Sequence, residues 1–339
     1  MKKRKLKKNF IVVVFGFFVL FCAIKLFSYF TSLEYKLKKI GYNYQEIKII
    51  ENKLDDDMIK TLLNYSYNQN LTSLLQDKNF FLTKFEDYLH YYNDNYKKEY
   101  DSKITEIIND QYYKNTNLSR YMKYYEENND LTSREIVENI NCNLDSLYYS
   151  TDYDADVSDG YLILVNKYYK LPSDYVPSNL VKIDKKYGYE RLIDENAYKA
   201  FIDMYNDANN EGLEIFITSP YRSYKYQETL YNNYVTDSGK EKAETFAARA
   251  GYSEHQTGLS VDLSAKGSMY TKFEKTEEYK WMLSNSYKYG FILRYPKGKE
   301  KQTGYMFEAW HFRFVGKDVA KYIFENSITY DEYYEYFIK

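Results

Sequence analysis

The segment from Phe10 to Phe30 is the strongest constraint on this chain: 21 positions broken only by Lys25, Ser28 and Tyr29. As a helix rising 1.5 Å per residue it spans about 31 Å, enough to cross a bilayer core. Lys2, Lys3, Arg4, Lys5, Lys7 and Lys8 precede it. The positive-inside rule therefore predicts a cytoplasmic basic tail over residues 1–9, a transmembrane signal anchor over 10–30 and an extracytoplasmic remainder. A cleavable signal peptide is the competing reading. No small-x-small cleavage site follows the run, however, and the run exceeds a usual signal core. Cys22 sits within it directly after Phe21, a poor lipoprotein signal, and reads as a membrane-buried residue. Cys142 is the only other cysteine, so the exported part has no intramolecular disulfide to rely on.

The 339 residues suffice for two domains. A formal net charge of −2 offers no basic excess for a nucleic-acid partner. The 44 tyrosines read as amphipathic core and rim.

Apolar positions over Ile40–Leu54, Met58–Leu63 and Lys84–Tyr92 recur at helical spacing, and strand-like alternation is nearly absent from residues 31–150. This stretch is expected to be an all-α spacer or interaction region. Within it, Tyr88-Leu89-His90-Tyr91-Tyr92 matches Tyr121-Met122-Lys123-Tyr124-Tyr125, and Ile104 and Ile107 match Val137 and Ile140. The 33-residue period suits paired helices, although tyrosine-rich helix faces also match by chance. His90 has no partner at metal-ligand spacing and reads as structural or exposed.

A polar, acidic stretch around Tyr148–Tyr161 reads as a linker, and a second domain is expected over residues 151–339. Short strands are expected at Tyr161–Val165, Leu213–Thr218, Leu259–Ser264, Gly290–Tyr295 and Trp310–Val315, with a helix over Arg191–Gly212. Leu259–Ser264 alternates, with Leu259, Val261 and Leu263 on one face and Ser260, Asp262 and Ser264 on the other. The C-terminal half is therefore α+β.

Three stretches concentrate reactive side chains: Ser219–Gln227 (SPYRSYKYQ), Ser253–Asp262 (SEHQTGLSVD) and Glu308–Gly316 (EAWHFRFVG). Hydrolysis assisted by zinc needs about three imidazole or carboxylate ligands and an open position. His255, Asp262 and His311 are such a set, and they include two of the three histidines in the chain. Gly258 lets the loop carrying His255 turn back toward the strand of Asp262. Glu308 and His311, three apart, would face opposite ways on a flat strand, so a bend between them is required if they share a centre.

The pattern S-x-H-x-x-G-x-x-x-D followed by E-x-W-H resembles the LAS-type zinc peptidases, and the preceding Y-R-S-x-x-x-Q resembles their VanY-type D-alanyl-D-alanine carboxypeptidases. The likeness covers roughly residues 159–324. It implies a LAS-type domain with a small antiparallel sheet and flanking helices, holding one Zn2+ on His255, Asp262 and His311. It also implies that Glu308 acts as general base toward a metal-activated water and that Arg222 binds substrate or steadies the oxyanion. Gln227 and Ser253 match the pattern as further substrate-binding positions, with turn formation and capping as their local alternatives. Ala309 and Ser260 stand where many relatives have Pro and Ala, departures that remove neither ligand nor base.

The implied activity is removal of the terminal D-alanine from peptidoglycan stem peptides, which suits an anchored domain outside the membrane. L,D-carboxypeptidase or stem-peptide endopeptidase action remains open on the same residues. A non-catalytic cell-wall-binding protein is the alternative from another class.

Overall fold

The computed structural model describes residues 2–94, 100–150 and 153–339, and of residues 2–9, 11 and 12 the backbone alone. The basic side chains of the expected tail, and Thr151 and Asp152 of the expected linker, lie outside the described residues. The chain divides into two compact units, residues 1–137 and 138–339.

Among the described residues, the first unit contains helices and turns only. Its helices are α1 (Lys2–Thr31), α2 (Leu33–Ile40), α3 (Tyr44–Lys53), α4 (Asp56–Leu62), α5 (Leu71–Gln76), α6 (Phe85–Asp94), α7 (Ser102–Asn109), α8 (Leu118–Glu127) and α9 (Ser133–Asn141), with the division falling inside α9. Within α1, Val13–Thr31 has a mean hydropathy of 2.2 and no buried residue. It is the one helix, among the described residues, long and apolar enough to cross a membrane.

The helical spacing over Ile40–Leu54 resolves into two elements. Gly41, at φ 131°, closes α2. Asn43 then opens α3 with a capping box, its side chain accepting from the amides of Gln45 and Glu46 while Glu46 accepts from the Asn43 amide. Such a cap is worth about 1 kcal/mol, which favours a fresh start over a continuous helix. His90 is exposed.

The 33-residue period has a structural counterpart. Helices α6 and α8 start 33 residues apart, each directly after a 3-10 turn, at Leu82–Lys84 and Asn115–Asn117. The hydroxyl of Tyr88 accepts the amide of Phe81, and that of Tyr121 accepts the amide of Lys114. Both tyrosines are fully buried. Each therefore spends its ring on the core and its hydroxyl on the amide of the residue that caps the 3-10 turn.

The second unit joins helices to three small sheets. Strands β1 (Tyr153–Asp154) and β2 (Tyr169–Lys170) pair parallel, and β3 (Leu180–Lys182) and β4 (Leu192–Asp194) pair antiparallel. The main sheet is antiparallel in the order β5 (Ile215–Ser219), β6 (Ser260–Ala265), β8 (His311–Phe314), β7 (Phe291–Leu293). Helices α10 (Glu195–Asn210), α11 (Tyr224–Ser238), α12 (Lys240–Ala243), α13 (Glu277–Asn285), α14 (Glu300–Thr303), α15 (Lys317–Asn326) and α16 (Tyr330–Phe337) complete it. The expected α+β architecture is thus observed.

One stripe of α10, with Ala197, Phe201, Met204 and Ala208, is buried in the same core as Ile215 and Ile217 of β5, Val261 and Leu263 of β6 and Phe312 of β8. These positions recur every three or four residues on the helix and every two on the strands, so each element meets the core with one periodic face.

Two expectations need correction. The helix expected over Arg191–Gly212 opens instead as β4, and Asp194 caps α10 by accepting from the amides of Asn196 and Ala197. The alternating strand expected at Leu259–Ser264 is present as β6, buried on both faces because its polar side faces the site described below. Tyr161–Val165 is not a strand: a 3-10 turn over Val157–Leu162 leads into an irregular segment. Its carbonyls pair with side chains rather than a neighbouring strand. Arg313 Nη2 donates to the carbonyls of Tyr161 and Ile163, and the Tyr330 hydroxyl donates to that of Leu162. Buried backbone groups need partners of some kind, and here the partners leave no ladder.

Candidate metal centre and active-site cleft

The main sheet sets the site along a single row of residues. Ser219 pairs with Asp262 across β5 and β6, and Asp262 pairs with His311 across β6 and β8. Side chains opposite one another on neighbouring strands share a face, so this register alone brings the Asp262 carboxylate beside the His311 imidazole. His255 arrives from a 3-10 turn, Glu254–Thr257, which is closed by Gly258 at φ 72°. A Cβ at Gly258 would lie 2.8 Å from Leu180 Cδ2 and 3.1 Å from the Asp194 amide nitrogen, so both the turn and its packing require glycine.

His255, Asp262 and His311 are buried, and one ligand atom from each lies within 4.8 Å of the others. His255 Nε2 is 3.4 Å from Asp262 Oδ1, and His311 Nδ1 is 3.3 Å from the same oxygen. The two rings stand nearly perpendicular, 4.9 Å between centroids. His255 Nδ1 contacts the Pro220 carbonyl at 2.8 Å, which fixes the proton there and leaves Nε2 as a ligand. Asp262 Oδ2 accepts from Arg222, whereas Oδ1 is buried with no hydrogen-bond partner. Two imidazole nitrogens converging on an orphaned carboxylate oxygen form a donor set that fits a zinc ion.

The bend required between Glu308 and His311 is present. The His311 amide donates to the Glu308 carbonyl at 3.3 Å, a turn that precedes β8. It brings Glu308 Oε2 within 3.6 Å of His311 Nδ1, on the side facing the ligand set. Burial pushes the Glu308 carboxyl upward, and Asp262 adds to the shift while His311 and Arg222 oppose it. Burial and the Arg222 charge push His255 downward. Burial works against ionisation of Asp262, yet His255 and Arg222 hold its carboxyl well below the usual range. A carboxylate dry enough to hold a proton near neutral pH, beside one that stays ionised, is a combination suited to proton transfer.

Arg222 lies in the loop after β5, where Nε donates to Ser219 Oγ at 3.0 Å and Nη1 to Gln227 Oε1 at 3.4 Å. Gln227 is held in turn by the Ala248 carbonyl at 2.8 Å. Ser253 is buried at the head of the His255 turn and makes no side-chain cap there. All seven residues singled out in the sequence line one cleft of about 870 Å³. Its walls also carry Tyr226 and Tyr234 from α11, and Tyr270, whose ring meets Trp310 edge to face at 5.2 Å.

Sequence reasoning missed the charged floor of the site. Glu254, Arg294, Arg313 and Asp331 are each at most 2% exposed. Arg294 Nε donates to Glu254 Oε1 at 2.7 Å, and its Nη1 and Nη2 reach the two oxygens of Asp331 at 2.5 and 3.2 Å. Arg313 Nη1 lies 3.1 Å from Glu254 Oε1. Removing one member of such a buried pair typically costs about 3–5 kcal/mol, because the other charge is left uncompensated. The signal was a charge in an apolar strand, twice: Ile292-Leu293-Arg294 and Phe312-Arg313-Phe314.

Comparison with known proteins adds an independent line. The profile of the VanY D-alanyl-D-alanine carboxypeptidase family matches residues 190–317. YodJ of Bacillus subtilis is 44% identical over 182 residues, 51% of this chain and 67% of that protein. A D-alanyl-D-alanine carboxypeptidase of Enterococcus faecium is 36% identical over 220 residues, 62% of this chain and 68% of that one. Among solved structures, that of the LD-carboxypeptidase LdcB is 42% identical with a TM-score of 0.50, covering 53% of this chain and 88% of its own.

Proposed function

Because this chain belongs to the VanY family of D-alanyl-D-alanine carboxypeptidases, we propose that it is a zinc carboxypeptidase releasing the terminal D-alanine of peptidoglycan stem peptides. The observation that carries this reading is the convergence of His255 Nε2 and His311 Nδ1 on Asp262 Oδ1, with Glu308 Oε2 alongside.

In this reading His255, Asp262 and His311 hold one zinc ion per catalytic domain, taken as residues 151–339. Held there, zinc would supply Lewis acidity toward the scissile carbonyl and the attacking water. Glu308 takes the proton of that water and passes it to the departing amine of D-alanine. Its burial keeps the carboxyl protonatable between the two transfers. Arg222, tethered by Ser219 and Gln227, meets either the terminal carboxylate of the peptide or the developing oxyanion. Gln227 and Ser253 line the same cleft and take part in binding the stem peptide.

A second reading, L,D-carboxypeptidase action on a tetrapeptide stem, is favoured by the likeness to LdcB. Full-length protein in detergent, loaded with zinc and incubated with pentapeptide, tetrapeptide and cross-linked muropeptides, is expected to release D-alanine fastest from the pentapeptide. Faster release from the tetrapeptide, read by mass spectrometry, would replace the first reading with the second. No release from any substrate would leave a wall-binding protein.

The basic tail and apolar α1 support a single-pass anchor with the N-terminus in the cytoplasm, the helices over residues 31–150 acting as a spacer and the catalytic domain facing the wall. Protease added to spheroplasts is then expected to degrade the C-terminal domain without lysis. Full protection until lysis would reverse the orientation.

A further inference from the structure

The two imidazoles of the ligand set present opposite nitrogens inward. His255 points Nε2 at Asp262 and gives Nδ1 to the Pro220 carbonyl. His311 points Nδ1 at Asp262 and Glu308, so its Nε2 faces away. That Nε2 is buried with no hydrogen-bond partner, 3.6 Å from Oε2 of Glu254.

Glu254 divides its two oxygens. Oε1 takes both arginines, Arg294 at 2.7 Å and Arg313 at 3.1 Å. Oε2 takes only the Ser260 hydroxyl, at 3.1 Å, and otherwise faces His311. Charge neutralisation of the arginines therefore accounts for one oxygen and leaves the other aimed at the back of a ligand. A histidine that binds metal through one nitrogen characteristically donates its other N–H to a carboxylate or carbonyl, which sets the tautomer and the ring orientation.

We propose that Glu254 is a positioning residue for the metal centre: it accepts the Nε2 proton of His311 and so keeps the Nδ1 lone pair directed at the ion. A closure of a few tenths of an ångström brings the 3.6 Å contact within hydrogen-bond range. Glu254 and His255 share one short turn. That turn thus supplies one ligand and the orienting acceptor of another, and any shift of it disturbs both together. The inference rests on the proposed function only in requiring a metal ion at these three residues.

The test measures zinc affinity by chelator competition on the full chain in detergent. Glu254→Gln is expected to lose about 10–100-fold in affinity. Asp331→Asn disturbs the same Arg294 without touching His311, and it is expected to lower the melting temperature while leaving zinc affinity unchanged. Equal losses in both variants, or none in Glu254→Gln, would overturn the proposal. Should Glu254→Gln not fold, 15N NMR of the zinc-loaded, histidine-labelled wild type gives the answer directly. With three histidines in the chain, His311 is expected to carry its proton on Nε2, and a proton on Nδ1 would overturn it. Neither readout involves turnover. A chain that binds zinc in this manner and hydrolyses no stem peptide would refute the proposed reaction and leave this inference standing.

Discussion

Glu308→Gln is expected to bind zinc as the wild type does and to hydrolyse stem peptides about 10²–10⁴-fold more slowly, the usual contribution of a general base. The substitution keeps the size and planarity of the side chain, and Glu308 Oε2 lies 3.6 Å from His311 Nδ1 rather than in the ligand triangle itself. The three donors should thus survive the change. What disappears is a group that alternates between carboxyl and carboxylate, since an amide does neither. The check is paired: zinc content by mass spectrometry of the intact protein and single-turnover release of D-alanine. Undiminished turnover with full zinc occupancy would remove Glu308 from its assigned role.

Zinc removal should have the larger effect on the molecule as a whole. Dialysis against a strong chelator is expected to abolish turnover and to lower the melting temperature, with both restored by one equivalent of zinc per chain. A ligand present at 1,000 times its dissociation constant stabilises a fold by about 4 kcal/mol, so the melting shift should be readily measured. Its physical origin lies in Asp262 and Glu308, which flank His311 in a dry site. Without a cation Glu308 is pushed toward its protonated form, and the inward oxygen of Asp262 has no hydrogen-bond partner. A melting temperature indifferent to chelator would argue that the three donors hold no ion.

Much of this site was legible because its chemistry is rare in the chain. With only three histidines, one of them just before an aspartate on an alternating strand and another just after Glu308, the donor set stood out before any fold was known. Strands β5, β6 and β8 were legible for a related reason: their apolar residues alternate, and the core takes one face of each. Even the conflict between Glu308 and His311 pointed to a bend, which the turn before β8 supplies.

What stayed hidden depends on partners far away in sequence. Glu254 meets Arg294 across 40 residues, and Arg294 meets Asp331 across 37. No local pattern marks such pairs. Tyr161–Val165 misled for the same reason, because an apolar run does not reveal whether its carbonyls will face another strand or the guanidinium of Arg313, 150 residues on. The start of α10 was obscured by an ordinary ambiguity: Leu192-Ile193 suits strand and helix alike, and pairing with β3 decides between them.

The repeated clamp in the helical unit, in which Tyr88 and Tyr121 each seize a turn amide seven residues upstream, has a consequence for how this part of the chain can evolve. A unit that carries its own turn, its own helix and its own fastening, yet buries its apolar face only on its neighbours, is expected to be gained or lost whole, at a 33-residue joint. Length then changes in whole modules. Relatives that differ here should differ by multiples of one module, while insertions of odd size should collect in the loops between clamps.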